Sequence, residues 1–323
     1  METCDIKRHP LQLHPSKQAA RSRTPRWPSY SGVSQLVGST ADLRCTVYVD
    51  PSLGAAGLKN AHDLLADSDR VMKFNDAQFG AAGGHVDVIV FALGGMTDGT
   101  GGADHMACDY TNGAQIEVCA SFGSSIRVSA LFEAELSECS MGGNVCGEST
   151  GEALSRWCAM AVSGNALSDF ATAPMWFQDG AANFVDTVDP TDRDPDSTGC
   201  GMAFISYLLS KGMTLSAISQ KLVALGDAGT LALINPAYQW ADFMAAVQFI
   251  GSVQDDDPFK GSPPSPPPGP TPPPPPGPTP PPPPTPVVSP LEWVTLATVA
   301  MFVGFKRGET AAQIKSDVDS IPT

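Results

Sequence analysis

A run of prolines near the C-terminus limits what this chain can fold into more than any other feature of its sequence. The segment GSPPSPPPGPTPPPPPGPTPPPPPTP covers residues 261–286. Proline lacks the backbone N–H that helices and sheets require, so such a run becomes extended polyproline II and acts as a semi-rigid spacer. We therefore predict a Pro-rich linker over 252–290, a featureless spacer rather than a ligand for SH3-type domains.

The segments on either side of the predicted folded body differ from it in composition. Residues 1–40 form a basic arm without the apolar stretch of a secretory signal, and we expect this arm to be disordered. After the linker, residues 291–323 predict one or two short helices. Their apolar part is interrupted by Glu292 and is too short to span a bilayer. The folded domain is therefore expected at 41–251.

Charge and cysteine content restrict the partners and the compartment. The formal net charge of −15 makes nucleic acid an unsuitable partner for the body of the chain. The chain has eight cysteines and no CxxC pair, which predicts disulfides in an oxidising compartment, at least three of them in the body. We accordingly expect an extracellular or extracytoplasmic location. The shortest closures would join Cys108 to Cys119 and Cys139 to Cys146, although the sequence leaves the pairing open.

The order of predicted elements indicates an α+β fold. The β-branched run LRCTVYVD predicts a strand, a helix with apolar spacing follows over 57–80, and HVDVIVFALGG predicts a buried strand. Asn112-Gly113 lies between two alternating runs and predicts a hairpin. The remaining body is helical, with candidate helices at 126–140, 150–162, 198–210, 215–224 and 241–250. A sheet that comes early and helices that come late give one α+β domain.

The stretch GESTG at 147–151 matches the nucleophile-elbow pattern G-x-S-x-G, with Ser149 as nucleophile. The preceding residues make a poor strand, and all five histidines precede Ser149, whereas hydrolases of this type carry the histidine last. We interpret Ser149 or Thr150 as the N-cap of the next helix.

Glutamates on two successive helices form a stronger candidate site. AELSE places Glu135 and Glu138 three residues apart on one face of the helix 126–140, and Glu152 lies in the first turn of the next helix. If the two helices pack against each other, the three carboxylates converge. The simpler alternative is a solvated acidic face, with Glu152 and Arg156 as an ordinary i,i+4 surface pair.

At these residues the chain resembles the zincin superfamily, specifically the gluzincin metallopeptidases. The likeness lies in the element order, a mixed sheet with an edge hairpin followed by an active helix and a second helix, and in the positions of the glutamates. The resemblance implies that Glu135 matches the general base and Glu152 the third metal ligand. Ala134 stands at the first histidine ligand position, and Glu138 replaces the second histidine.

The resemblance therefore implies a degenerate metal site. Carboxylates without an imidazole suit calcium or manganese better than zinc, so the divalent ion stays open between zinc, calcium and manganese. His105, in the predicted hairpin, is a further candidate ligand. A weaker calcium candidate is the alternation of Asp192, Asp194 and Asp196. It lacks the glycine and the final glutamate of a calcium loop, and Ser197 or Thr198 capping a helix accounts for the same residues.

We predict from these features a zincin-like, metallopeptidase-related protein outside the cytoplasm, weakly active or inactive as a zinc peptidase, that would take a peptide or protein substrate. The alternative is a non-catalytic cell-surface or matrix module. In either case the Pro-rich linker would act as a stalk that contacts a wall or matrix.

Overall fold

The computed structural model describes residues 25–97, 101–106, 108, 113–142, 145–164, 166–167, 172–187, 193–226 and 230–248. The chain divides into two units, 1–264 and 265–323, and every described residue lies in the first. The predicted linker 252–290 and the predicted helical segment 291–323 lie outside the described residues.

Five strands form one mixed sheet. They are β1 (Gln35–Ser39), β2 (Cys45–Val49), β3 (Val86–Phe91), β4 (Ala103–Met106) and β5 (Ala114–Cys119), in the spatial order β1-β2-β3-β5-β4. The central strands β2, β3 and β5 run parallel to one another. The edge strands are antiparallel to their neighbours, β1 to β2 and β4 to β5. The valine-rich centre of β3 is buried almost throughout, as expected for a parallel strand covered on both faces.

Strand β1 corrects the expectation for the N-terminal arm. It lies inside the segment 1–40 that we expected to be disordered, and it extends the folded body before residue 41. The residues preceding it are anchored by Glu117 of β5, whose buried carboxylate accepts hydrogen bonds from Ser29 and from the Tyr30 N–H. Nothing in the sequence around Glu117 indicates that this residue binds a segment so far away along the chain.

The predicted hairpin is confirmed by the antiparallel pairing of β4 with β5, in which His105 lies opposite Ile116. Side chains alternate between the two faces of a strand. Asp104 and Met106 of β4 are exposed, whereas Ala103 and His105 are partly buried. The histidine therefore faces the protein from an edge strand.

The described residues contain seven α-helices. They are α1 (Gly54–Phe79), α2 (Ser125–Ser140), α3 (Ser149–Ser163), α4 (Ala173–Gln178), α5 (Pro195–Ser210), α6 (Leu215–Leu225) and α7 (Trp240–Val247). All the helices predicted for the folded body are present, and the short helix α4 is additional. The helix predicted at 241–250 is observed as α7 and ends at Val247.

Two of the predicted helix caps are wrong. Glu148 occupies the N-cap position of α3 without a side-chain cap bond, so neither Ser149 nor Thr150 is the cap. Helix α5 begins before Ser197 because Asp194 is its cap, and the Asp194 side chain accepts from the Asp196 N–H.

Two apolar cores meet at α2 and α3. The inner side of α2 consists of Val128, Leu131, Phe132 and Leu136, which are buried against the sheet and α1. Helix α3 packs on α2 and on α5, within a second core centred on Trp176, Phe204 and Phe243. Gly151 permits a close start of α3, because a Cβ there would lie 2.0 Å from the Val145 carbonyl oxygen.

The cysteine predictions need correction. One disulfide joins Cys108 to Cys146, so neither of the two short closures forms. Five further cysteines are free and buried: Cys45, Cys119, Cys139, Cys158 and Cys200. Buried free cysteine packs as a small apolar side chain, which explains why an even count gave a wrong prediction of at least three bridges.

The architecture is a mixed α+β fold in which α2 and α3 lie next to the edge strand β4. Among the described residues, no helix has the length and apolar character needed to cross a membrane.

Candidate metal-binding cleft

A cleft of about 260 Å³ opens where β4 meets α2 and α3. Strand β4 supplies Asp104 and His105 to its wall, and α2 supplies Ala134, Glu135 and Glu138. Helix α3 and the residue before the α5 cap add Glu152, Ser155, Arg156 and Arg193. The three glutamates predicted to converge therefore line one cavity.

His105 bridges the edge strand and helix α2. Its Nδ1 lies 2.7 Å from Oε2 of Glu135, and the two side chains are only 12% and 13% exposed. Its Nε2 lies 3.1 Å from Sγ of Cys146, which is half of the disulfide between the β4 side and the α2–α3 connection. Each ring nitrogen is therefore in contact with a polar or sulfur atom, and these two contacts hold the imidazole in one orientation.

Glu138 and Glu152 meet deeper in the cleft. Glu138 is 6% exposed, and Glu152 and Ser155 are close enough to influence the pKa of its carboxyl group. Oε1 of Glu152 accepts from Nε and Nη2 of Arg156 at 2.9 and 2.8 Å. The predicted i,i+4 pair is present, but it is largely buried rather than on the surface.

Burial and neighbouring charges shift the pKa values of three groups in the cleft. Burial, together with the charges of Glu135 and Glu152, raises the pKa of Glu138 well above the ordinary range and favours its protonated form. Burial lowers the pKa of His105, but the hydrogen bond and charge of Glu135 outweigh it and the net shift is upward. Burial raises the pKa of Glu135, while the contact with His105 opposes that rise.

These groups balance one another without an added ion. His105 pairs with Glu135, and Arg156 pairs with Glu152. Each of these four side chains therefore has a partner, as buried charges require. The two pairs hold their side chains in place across the cleft.

The donors also fit a divalent cation once they lose their protons. One ligand atom from each of His105, Glu135 and Glu138 lies within 4.8 Å of the others. One imidazole and two carboxylates satisfy the need for about three protein ligands and leave one position open. This set differs from the ligand set that the resemblance implies. Ala134 lines the cleft but has no donor atom, and Glu152 is bound by Arg156. His105 supplies a ligand atom in their place.

The other predicted sites are not assembled. Ser149 is 4% exposed at the start of α3 and does not line the cleft, so the nucleophile-elbow interpretation stays excluded. Asp192 of the calcium candidate lies outside the described residues. Among the described residues, Asp194 and Asp196 belong to no group of three potential metal ligands. Asp194 serves as a helix cap instead.

Sequence reasoning missed two features around α2. Arg193 reaches the cleft from the start of α5, far along the chain, and no spacing rule connects it with α2. Glu133 is fully buried, and neither of its carboxylate oxygens has a hydrogen-bond partner among the described residues. Its place next to Phe132 was the available signal, because a residue adjoining the inner side of a helix sits at the edge of the core.

No protein-family model matches the sequence, and no curated protein is detectably similar to it. The resemblance to zincins therefore stays a prediction that rests on element order and on the cleft.

Proposed function

We propose that the cleft binds a divalent cation through His105, Glu135 and Glu138, in a zincin-like domain that hydrolyses peptides weakly or not at all. The observation that carries this proposal is the convergence of three ligand atoms within 4.8 Å in an open cleft. The element order supports the zincin assignment, because the edge strand β4 and the successive helices α2 and α3 frame the cleft.

The donor set favours hard ions and tolerates zinc. Carboxylate oxygens suit calcium and manganese, whereas the His105 imidazole adds affinity for manganese and zinc. A bound divalent cation would supply Lewis-acid polarisation of a carbonyl oxygen. Arg156 and Arg193 line the same cleft and are suited to orient the carboxylate of a peptide ligand.

Weak or absent hydrolysis follows from the role of Glu135. The resemblance implies that Glu135 is the general base, but Glu135 contacts His105 and belongs to the proposed ligand set. A carboxylate that is committed as a ligand cannot also accept the proton of an attacking water. Glu152 does not replace it, because Arg156 binds the same carboxylate. This commitment favours the second candidate function, a non-catalytic binding module.

The Pro-rich run and the disulfide support placing this module outside the cytoplasm on a stalk that contacts a wall or matrix. The five buried free cysteines weaken that support, since they remove most of the predicted bridges.

Isothermal titration of the oxidised full-length chain with Mn²⁺, Zn²⁺ and Ca²⁺ tests the cation site. We expect one site per chain, and Glu138→Gln should weaken binding by about tenfold or more because it removes an anionic donor.

Glu133→Gln is the matched control, since it changes a glutamate on the same helix that does not line the cleft. Equal affinity in the wild-type chain and in Glu138→Gln would overturn the site. A measured peptidase rate that Glu135→Gln leaves unchanged would refute the role assigned to Glu135.

A further inference from the structure

The Cys108–Cys146 disulfide lies directly against the functional histidine. Nε2 of His105 is 3.1 Å from Sγ of Cys146 and 4.0 Å from Sγ of Cys108. One donor atom from each of these three residues falls within 4.8 Å of the others. The disulfide therefore occupies the centre of a cluster with the composition Cys₂His.

The orientation of the imidazole matches that of a metal ligand. Histidines that bind zinc usually donate the other ring N–H to a carboxylate, which fixes the tautomer and raises the basicity of the ligating nitrogen. In this cluster Nε2 faces the two sulfurs while Nδ1 contacts Oε2 of Glu135 at 2.7 Å. The ligating nitrogen and the supporting carboxylate are already placed.

The spacing also suits a tetrahedral ion. Zinc–sulfur bonds of about 2.3 Å and zinc–nitrogen bonds of about 2.0 Å require sulfur and nitrogen ligands roughly 3.5 Å apart. The two observed nitrogen–sulfur distances lie on either side of that value. The Cα atoms of the two cysteines are 5.9 Å apart, so rotation of the side chains separates the sulfurs once their bond is broken.

We propose that reduction of this disulfide creates a second metal site, in which the Cys108 and Cys146 thiolates and Nε2 of His105 bind Zn²⁺. A dithiol or phosphine reductant supplies two electrons. The sulfur–sulfur bond breaks and each sulfur takes up a proton. A dithiol supplies these two protons and becomes a disulfide, whereas a phosphine becomes its oxide, with the oxygen atom and the two protons taken from water. Metal binding then releases the two thiol protons, because thiolates are the ligands. Three protein ligands leave a fourth position for water.

The two metal sites compete for one residue. The cleft site uses Nδ1 of His105, whereas the reduced site uses Nε2 and needs Glu135 as the acceptor of the Nδ1 proton. Reduction would therefore withdraw His105 and Glu135 from the cleft site. Reductant has access to the bridge, since Cys108 is partly exposed and Cys146 retains 9% exposure.

Cobalt titration of the full-length chain tests this site, because Co²⁺ replaces Zn²⁺ and thiolate ligands give it a near-ultraviolet charge-transfer band. We compare oxidised protein with protein reduced by a phosphine that does not bind metal. One Co²⁺ per chain should give the band only after reduction, with affinity at least about tenfold tighter than that of the oxidised chain.

The controls separate this proposal from the cleft site. Cys119→Ser changes a buried cysteine in the neighbouring strand and should keep the band. Cys108→Ser/Cys146→Ser should abolish it, and far-ultraviolet circular dichroism checks that the double variant is folded. Glu138→Gln should keep the band, since Glu138 belongs only to the cleft site. Cobalt binding to the reduced chain without the band, or a band that Cys119→Ser abolishes, would overturn the thiolate site and leave the cleft proposal untouched.

Discussion

Helix α2 carries glutamates into two contrasting environments. On the side towards β4 and α3, Glu135 and Glu138 line a cleft in which His105 contacts Glu135, and Glu152 and Ser155 lie on the facing wall. Elsewhere on the same helix, Glu133 is sealed in the interior without a hydrogen-bond partner among the described residues. Burial dominates the pKa of both Glu133 and Glu138, and raises each well above the ordinary range.

The comparison shows that the pKa alone does not identify a site. Glu133 and Glu138 are the same residue type on one helix, and burial raises the pKa of both. Only Glu138 has other ligand atoms within reach of a shared ion and an opening to solvent. The neighbouring elements decide the chemistry, because an imidazole from β4 and the Glu152 carboxylate from α3 face one side of the helix.

The largest expected effect comes from adding an imidazole to the cleft. Glu138→His should tighten Zn²⁺ binding by about a hundredfold, because nitrogen donors suit zinc better than a carboxylate that must first lose its proton. We choose position 138 rather than 134 because Ala134 packs with Ala130 and Ala159 in a small apolar cluster that a histidine would disrupt. Competition with a zinc-specific chelator gives the affinity. The same substitution at Glu133 should not tighten binding, and a gain there would remove the distinction between the two environments.

A smaller effect concerns the pH dependence of cation binding. The pKa values of Glu138 and His105 are both raised, so a cation competes with protons for these groups at higher pH than it would at ordinary carboxyl and imidazole groups. Binding should therefore strengthen as pH rises, by about tenfold per pH unit for each proton displaced. Calorimetric titrations in buffers of different ionisation enthalpy measure the protons released. Affinity that does not change between pH 6 and pH 8 would contradict the protonation of Glu138 and His105.

The smallest expected effect is on stability and concerns Glu133. Its raised pKa means that the folded chain holds a proton that the unfolded chain loses above its ordinary pKa of 4.5. Stability is therefore lost as pH rises from 4.5 towards the folded-state pKa, by up to about 1.4 kcal/mol per pH unit. Glu133→Gln cannot titrate, so its unfolding free energy should fall less steeply with pH than that of the wild type. Urea unfolding at pH 5 and pH 8 gives the two slopes, and equal slopes would refute the assignment.

Much of the fold follows from local patterns. The apolar spacing of α1 and α2, the β-branched run of β3 and the Asn-Gly signal between β4 and β5 are short-range features, and each predicted its element. Strand β1 was missed because its pairing with β2 holds it in place, and the residues before it are anchored by Glu117, which lies far away in the sequence. Helix caps were misplaced because several capping residues are adjacent, and packing selects between them.

The candidate site was predictable only in part. The positions of Glu135 and Glu138 on α2 and of Glu152 on α3 were enough to predict that the three glutamates line one cleft. The partners that determine their charges were not predictable, because His105 and Arg193 come from an edge strand and from the start of a later helix. The disulfide shows the same limit, since Cys108 and Cys146 are brought together by the packing of β4 beside α2 and not by a short loop.

The most direct test of the account is to locate the ion. A crystal of the oxidised full-length chain is soaked in Mn²⁺ and measured at the manganese absorption edge, where anomalous scattering gives the position of the metal. We predict one strong peak, which marks an ion bound by His105 Nδ1, Glu135 and Glu138. A peak at Asp194 and Asp196, or a cleft without a peak in crystals that bind manganese elsewhere, would contradict it.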